Sequence, residues 1–510
     1  MAALEAAGTE YVFGNPGSTE LAFLDAVGRS GLEYVTCLHE AVAVGAAEGY
    51  ARAGRRPGVV QLHTVAGAGN AAGMLANARA GGTPLVAFVG CPARADAYAE
   101  PVLGGDPVAV ASPVSKWAWE LRTASEIPAV VVRAFKVALT PPCGPVVLVG
   151  PADVMAEPCT REVTPPSLVR ARVRPDLGAL EEAARILAGA GAPAIVVGDG
   201  AAASGAGEAI AAVAELLGAP VYSTATEAVV DGATALPVFD VRSTAEALAG
   251  HDAVLAVGTA FLRLAAPSST QVLTPDTPLV HVGSDAWELG KTEPALAILA
   301  DERTAMLELA AELERTGRTV AERAMSRSLA PDMAFGADAA LAELAAVLPE
   351  DAILIDESVS AIPALERQLP RRPGSWFRSR GGALGAGMAM PVGAALAAPE
   401  RPVVAIVGDG SAMYTSTALW TLANRRLRVT VVVLDNGGYG ILDDSGRALG
   451  LAPAGTRLDE PRIDFCALAQ AHGVAAHRAA SRPEAAAAFR VALAGTPSLV
   501  HVVLEPEGAA

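Results

Sequence analysis

Short apolar runs of strand length recur along the whole chain, each closed by glycine, proline or a charge: YVFG, GVVQLH, PLVAFVG, GPVVLVG, PAIVVGDG, AVLAVG, PLVHVG, AILIDES, PVVAIVGDG and VTVVVLDN. Between them, stretches such as TELAFLDAVGRSG and GALEEAARILAGAG carry apolar residues at helical spacing. Buried-looking strands that alternate with helices predict parallel sheets covered by helices on both faces, a doubly wound α/β fold. Ligands of such sheets bind at the carboxyl ends of strands, so the turns there are where chemistry is expected.

The alternation breaks down in two places where proline and arginine gather, VMAEPCTREVTPPSLVRARVRPD around residues 154 to 176 and RAMSRSLAPDMAFG around 323 to 336. These read as linkers and divide the chain into three α/β blocks, 1–160, 175–322 and 335–510. No short-period repeat appears, although the three blocks look like variations on one theme.

Composition narrows the function. Hydrophobic residues make up 52% of the 510, yet the apolar runs are too short and broken to cross a bilayer, and the N-terminus lacks a basic leader with a long apolar stretch. A cytoplasmic protein is expected. Cys37, Cys91, Cys143, Cys159 and Cys466 are scattered without a CxxC pair, which argues for reduced, mostly buried thiols and against a disulfide framework or structural zinc. A net charge of −17 gives nucleic acid no electrostatic footprint.

The strongest chemical signal lies in residues 403 to 440, VVAIVGDGSAMYTSTALWTLANRRLRVTVVVLDNGGYG. One strand runs into Gly408-Asp409-Gly410-Ser411 and a helix; a second ends at Asp435-Asn436-Gly437-Gly438. Neighbouring parallel strands would set the two turns side by side, where Asp409 and Asn436 offer hard oxygen ligands to Mg2+. The helix expected after Ser411 favours a negative diphosphate. GDGS alone reads equally well as a plain strand-to-helix turn. Joined to NGG at the next strand end, it resembles the thiamine diphosphate motif, which implies Asp409, the Asn436 side chain and the Gly438 carbonyl as metal ligands, with Gly410, Ser411, Tyr414 and Tyr439 near the diphosphate.

Further segments extend that resemblance: FGNPGSTEL (13 to 21), LHEAVAVGAAEGYARA, QLHTVAGAGN (61 to 70) and VSKWAWE (114 to 120). With GDGSAMYTSTALW and NGGYG they are very similar to benzoylformate decarboxylase within the thiamine diphosphate-dependent 2-oxo acid decarboxylase superfamily. The similarity covers both terminal blocks nearly without gaps and the middle one weakly. It implies a pyrimidine-binding first block, a central block and a diphosphate-binding last block, with sites formed between subunits of a dimer or tetramer. Glu40 would activate the aminopyrimidine ring; by itself it could also be a solvated charge on a helix N-terminus. Ser18 and His63 would stand over the reacting carbon, although Ser18 could instead cap the following helix and His63 could be a structural strand-end residue. Asn70 and Ser360 would help hold the cofactor, Leu384 would be the apolar wedge that bends it, and Leu103 and Ile441 would line the substrate pocket.

The implied reaction is nonoxidative decarboxylation of a 2-oxo acid to an aldehyde. Ser18 suits the substrate carboxylate, and an imidazole at His63 suits proton transfer to and from the substrate oxygen. The pattern also has departures. Ala265 aligns where a second active-site histidine is expected, while His251 and His281 read as structural. Losing that proton donor would favour a carboligase resembling acetolactate synthase, which joins the enamine to a second carbonyl compound. After NGGYG the segment ILDDSGRALG is more polar than in benzoylformate decarboxylase, so Asp443 and Asp444 either face a polar substrate or form a solvated turn. Val359 replaces an expected hydroxyl, leaving Ser360. No distinct flavin signature marks the central block.

Overall fold

A computed structural model describes residues 1–159, 161–163, 169, 172–236, 241–260, 270–317, 335–495 and 497–504. It contains three six-stranded sheets, and all ten apolar runs named above supply strands. The first sheet comprises β1 (Tyr11–Gly14), β2 (Glu33–Thr36), β3 (Gly58–Leu62), β4 (Leu85–Cys91), β5 (Trp117–Glu120) and β6 (Val146–Pro151), in the order β2-β1-β3-β4-β6-β5. The second comprises β7 (Pro193–Val197), β8 (Val221–Ser223), β9 (Thr234–Ala235), β10 (Ala253–Val257), β11 (Leu279–Gly283) and β12 (Leu296–Leu299), in the order β12-β11-β10-β7-β8-β9. The third comprises β13 (Ile353–Glu357), β14 (Trp376–Arg378), β15 (Val403–Gly408), β16 (Val429–Asp435), β17 (Ala475–Ala479) and β18 (Ser498–Val503), in the order β14-β13-β15-β16-β18-β17.

The central ladders are parallel. Their strands are buried along their length, because successive side chains point to opposite faces and helices cover both. The chain separates into two compact units, one built on the first and third sheets and the other on the second. In the first unit a single apolar core runs through both sheets, from Phe13, Val60 and Val89 to Ile355, Val407 and Val433. The link is a pair of helices rich in small residues, Glu40–Gly54 and Ala386–Ala397. They approach so closely that a side chain on Gly393 would overlap the Ala46 carbonyl. The second sheet has its own core, which includes Ile195, Val213, Leu255 and Leu309.

Register positions the turns that matter. Gly14 pairs with Gln61, so the FGNPGS turn after β1 and His63 after β3 leave the first sheet side by side. Gly408 pairs with Leu434, which does the same for Asp409 and the Asp435-Asn436 turn in the third. Among the described residues no helix is long and apolar enough to cross a membrane. Of the five thiols only Cys37 and Cys91 are buried; Cys143 and Cys466 are half-buried and Cys159 is exposed, which corrects the expectation of mostly buried cysteines.

Candidate active site

Glu40 opens the helix Glu40–Gly54 directly after β2, yet it is 4% exposed and so is not a solvated helix-end charge. Its two oxygens accept from side-chain amides, Oε1 from Asn15 Nδ2 at 3.2 Å and Oε2 from Asn70 Nδ2 at 3.0 Å. Two neutral amides therefore satisfy this buried carboxyl group without a cation beside it.

His63 follows β3 and stands just before the helix Thr64–Ala80, with no capping bond from its side chain. Its Nδ1 lies 2.9 Å from Oε2 of Glu20, a carboxylate that is itself buried and takes the Thr19 hydroxyl on Oε1 at 2.6 Å. A carboxylate at Nδ1 fixes the tautomer and leaves Nε2 as the outward, proton-exchanging nitrogen. Gly17 makes room for the ring, since a side chain there would overlap it. Ser18 is exposed at the start of the short turn Ser18–Glu20, and its hydroxyl caps nothing. Thr64, next to His63, has a positive φ of 56°, a strained conformation for a β-branched residue and one concentrated at functional sites.

In the third sheet Asp409 is buried at the end of β15. Oδ1 accepts the Gly410 N–H at 2.8 Å, while Oδ2 is buried with no hydrogen-bond partner. Burial raises this carboxyl above its ordinary range, and the neighbouring Asp435 carboxylate adds to the push. Asn436 Oδ1 accepts the Gly438 N–H at 3.2 Å and the Gly438 carbonyl accepts the Gly440 N–H at 3.1 Å, so each oxygen retains a lone pair. An orphaned carboxylate oxygen beside two under-used neutral oxygens fits a hard divalent cation. The helix here begins at Asp409 and runs to Tyr414, earlier than the start after Ser411 that was expected, because Gly408 is already the extended residue before it. Gly410 and Ser411 are thus inside it and buried, Tyr414 is exposed, and the half-buried Tyr439 bonds to Tyr414.

Leu384 sits half-buried in the turn before the helix Ala386–Ala397, and that turn is clamped from two sides. Buried Asn77 donates to the Ala383 carbonyl at 2.8 Å and accepts its N–H at 3.0 Å. Glu357, at the end of β13, accepts the N–H groups of Gly385, Ala386 and Gly387 at 2.9, 3.2 and 3.0 Å. Burial pushes its carboxyl up to about 8 against the pull of those donors. Gly385 has φ 107°, a conformation glycine alone adopts readily.

The remaining named positions are less tightly held. Ser360 lies half-buried in the turn Val359–Ala361, and Val359 has φ 48°. Leu103 is exposed with φ 71°. Ile441 and Asp443 are half-buried in a helix, Gly440–Leu449, rather than a solvated turn; Asp444 pairs with Arg447 one turn on, and Gly450 closes the helix in the left-handed conformation. His251 and His281 are hydrogen-bonded within the second unit, to Ala192 and Tyr222 and to Thr259 and Thr292. Ala265 and most of the 323 to 336 segment lie outside the described residues.

The structure therefore gathers Glu40 with Asn70, and Asp409 with Asn436, Gly438 and Tyr439. No hydrogen bond or ion pair among the described residues joins the first group to the second. Asn15, Glu20, Asn77 and Glu357 were not singled out by sequence. Asn15 and Glu20 lay inside the quoted FGNPGSTEL segment, and the signal available was an asparagine directly before Pro16 and a carboxylate three residues after Gly17.

Comparison with known proteins bears on these turns. Residues 1–108 match the thiamine pyrophosphate enzyme N-terminal TPP binding domain, residues 180–309 the central domain and residues 364–502 the C-terminal TPP binding domain. A benzoylformate decarboxylase from Pseudomonas aeruginosa is 34% identical over 97% of this chain and 96% of its own. A putative acetolactate synthase large subunit from Mycobacterium tuberculosis is 32% identical over 98% of this chain and 96% of its own. The solved structure of a thiamine diphosphate-dependent 4-hydroxybenzoylformate decarboxylase from Rhodococcus jostii superposes with a TM-score of 0.90 at 30% identity, covering 99% of this chain and 98% of that one.

Proposed function

Because this chain belongs to the thiamine pyrophosphate enzyme family, we propose that it decarboxylates a benzoylformate-like 2-oxo acid without oxidation, releasing an aldehyde, with thiamine diphosphate and Mg2+ as cofactors. Bound thiamine diphosphate supplies a nucleophilic carbon and a ring that accepts the electron pair left by departing CO2. Asp409, the Asn436 side chain and the Gly438 carbonyl hold the cation. Gly410, Ser411, Tyr414, Tyr439 and Ser360 surround the diphosphate, and Leu384 supports the bend between the two cofactor rings. Glu40 would exchange a proton with the aminopyrimidine ring of the bound cofactor, and Asn70 keeps that carboxyl group in place.

Ser18 binds the substrate carboxylate through its free hydroxyl. His63 moves protons to and from the substrate oxygen through Nε2, with Glu20 as the positioning residue behind it. Leu103 and Ile441 line the pocket. The observation that carries this reading is the His63–Glu20 pair, an imidazole oriented for proton transfer at the same sheet end as the buried Glu40. A second copy of the chain completes each site. Support comes from apolar side chains exposed around both halves, Leu21, Leu103, Met413, Tyr414 and Leu442.

A carboligase is the second reading, favoured by the acetolactate synthase relative and by Ala265 at the position of an expected proton donor. Incubation with pyruvate, benzoylformate and branched 2-oxo acids, with products resolved by mass spectrometry, separates the two. Aldehyde as main product supports decarboxylation. Hydroxyketone as sole product overturns it in favour of the carboligase.

A further inference from the structure

Three side chains that the proposed reaction does not use meet at one end of the third sheet. Asp464 precedes the helix Phe465–Ala471, Cys466 lies in its first turn, and His501 projects from β18. One ligand atom from each lies within 4.8 Å of the others. His501 is 4% exposed, and its Nε2 is 2.7 Å from Oδ2 of Asp435. Arg462 also donates to that carboxyl group through Nε at 2.9 Å and Nη2 at 3.0 Å, so both Asp435 oxygens are acceptors and Nε2 is the ring nitrogen that donates to it. Nδ1 then keeps its lone pair. It is buried and has no hydrogen-bond partner. A buried acceptor without a donor is destabilising unless something fills it. Cys466 is a half-buried free thiol, and Asp464 uses Oδ1 to accept the Ala467 N–H at 2.9 Å, leaving Oδ2 open.

We infer that Asp464 Oδ2, Cys466 Sγ and His501 Nδ1 form a site for a borderline-soft divalent cation of the zinc class, with water as fourth ligand. Thiolate, imidazole and carboxylate are the ligands zinc takes in tetrahedral sites, in contrast to the all-oxygen set at Asp409. Asp435 holds the far ring nitrogen as carboxylates do behind metal-bound histidines. Binding deprotonates the Cys466 thiol, and the proton leaves to solvent. The ligands stand at 464, 466 and 501, a spacing in which no cysteine pair or histidine repeat appears, so the sequence argued against zinc. The site lies one residue from the Asn436 turn, since Asp435 joins the two.

The test uses holoenzyme saturated with thiamine diphosphate and Mg2+, so that the oxygen site is filled. Zn2+ alone is titrated against a chromophoric chelator, and Co2+ is added in a parallel experiment. One Zn2+ per chain is expected, with a thiolate-to-cobalt charge-transfer band in the near ultraviolet. Cys466→Ser should weaken Zn2+ by at least about tenfold and abolish the band. Cys159→Ser, at an exposed thiol elsewhere, should change neither. Asp464→Asn keeps the helix cap and should weaken Zn2+ less than Cys466→Ser does. Parental affinity in Cys466→Ser, a band lost in Cys159→Ser, or no cobalt–thiolate band in the parent protein would each overturn the site; the last needs no variant to fold.

Discussion

Numbered within their own blocks, the first and third sheets both run 2-1-3-4-6-5, whereas the second runs 3-2-1-4-5-6. In the shared order the topological switch point falls between strands 1 and 3, and both sheets place polar turns there. The Ser18 turn follows β1 and His63 follows β3; the Ser360 turn follows β13 and Asp409 follows β15. The helices after β2 and β14 are equivalent too, and they pack against each other. One begins with its own acid, Glu40. The other begins with Ala386, and its N–H groups are taken by Glu357 from β13. One topology therefore uses a buried carboxylate in two ways. Glu40 is held by two side-chain amides and is the carboxylate proposed to meet the cofactor, while Glu357 commits its oxygens to the three N–H groups of the turn that carries Leu384.

The comparison breaks most visibly if the two halves do not divide the work. Asp409→Ala removes the carboxylate proposed to hold the cation at the third sheet and should abolish binding of thiamine diphosphate with Mg2+, and turnover with it; equilibrium dialysis checks this. Glu40→Gln should keep the cofactor, because one asparagine can still donate to the amide oxygen and the other can turn its own oxygen to the new NH2, yet lower kcat by about 10²- to 10⁴-fold. Equal loss of cofactor in both variants would mean that Glu40 is a binding group and that the halves are not chemically distinct.

Much of this was legible in sequence because parallel-sheet strands buried on both faces are continuous apolar runs, and all ten such runs are strands. The strands not singled out are mostly edges, where burial is partial and the residues polar: β2 is EYVT, β5 is WAWE and β17 is AAHRA. The residues that touch a ligand in the proposed site sit in glycine-marked turns and were readable as motifs. Those that hold the site were not. Glu20, Asn77 and Glu357 act across long sequence separations on backbone or on another side chain, and nothing local to EAVAVG or GGALGAG announces them. The turn alternative for Asp443 and Asp444 fails for the opposite reason, because DDSG has turn composition but also the Asp444–Arg447 spacing of a helix.

Within the first half, Glu20 tests whether His63 is oriented or only packed. Glu20→Ala leaves Nδ1 without its acceptor and should lower kcat about 10- to 100-fold with cofactor affinity unchanged. Glu20→Gln, whose amide oxygen still accepts Nδ1–H, should recover part of that loss. The pH profile of kcat/KM should shift in the alanine variant. A purely structural role would lower the melting temperature and leave that profile in place.

The smallest effect separates Glu357 from Glu40. Its carboxyl is raised from an ordinary value of 4.5 to about 8 by burial. Between those values the folded chain retains a proton that the unfolded chain has lost, so this group makes the fold less stable as pH rises through the window, with no further loss above it. Glu357→Gln cannot titrate and should lack that slope. Thermal midpoints at one scan rate and one cofactor concentration, taken from pH 5 to 9, should therefore fall more steeply in the parent than in the variant. Parallel curves would mean that the three N–H donors keep Glu357 ionised in the fold, in which case it stabilises the Leu384 turn as an anion and the contrast with Glu40 is one of partners alone.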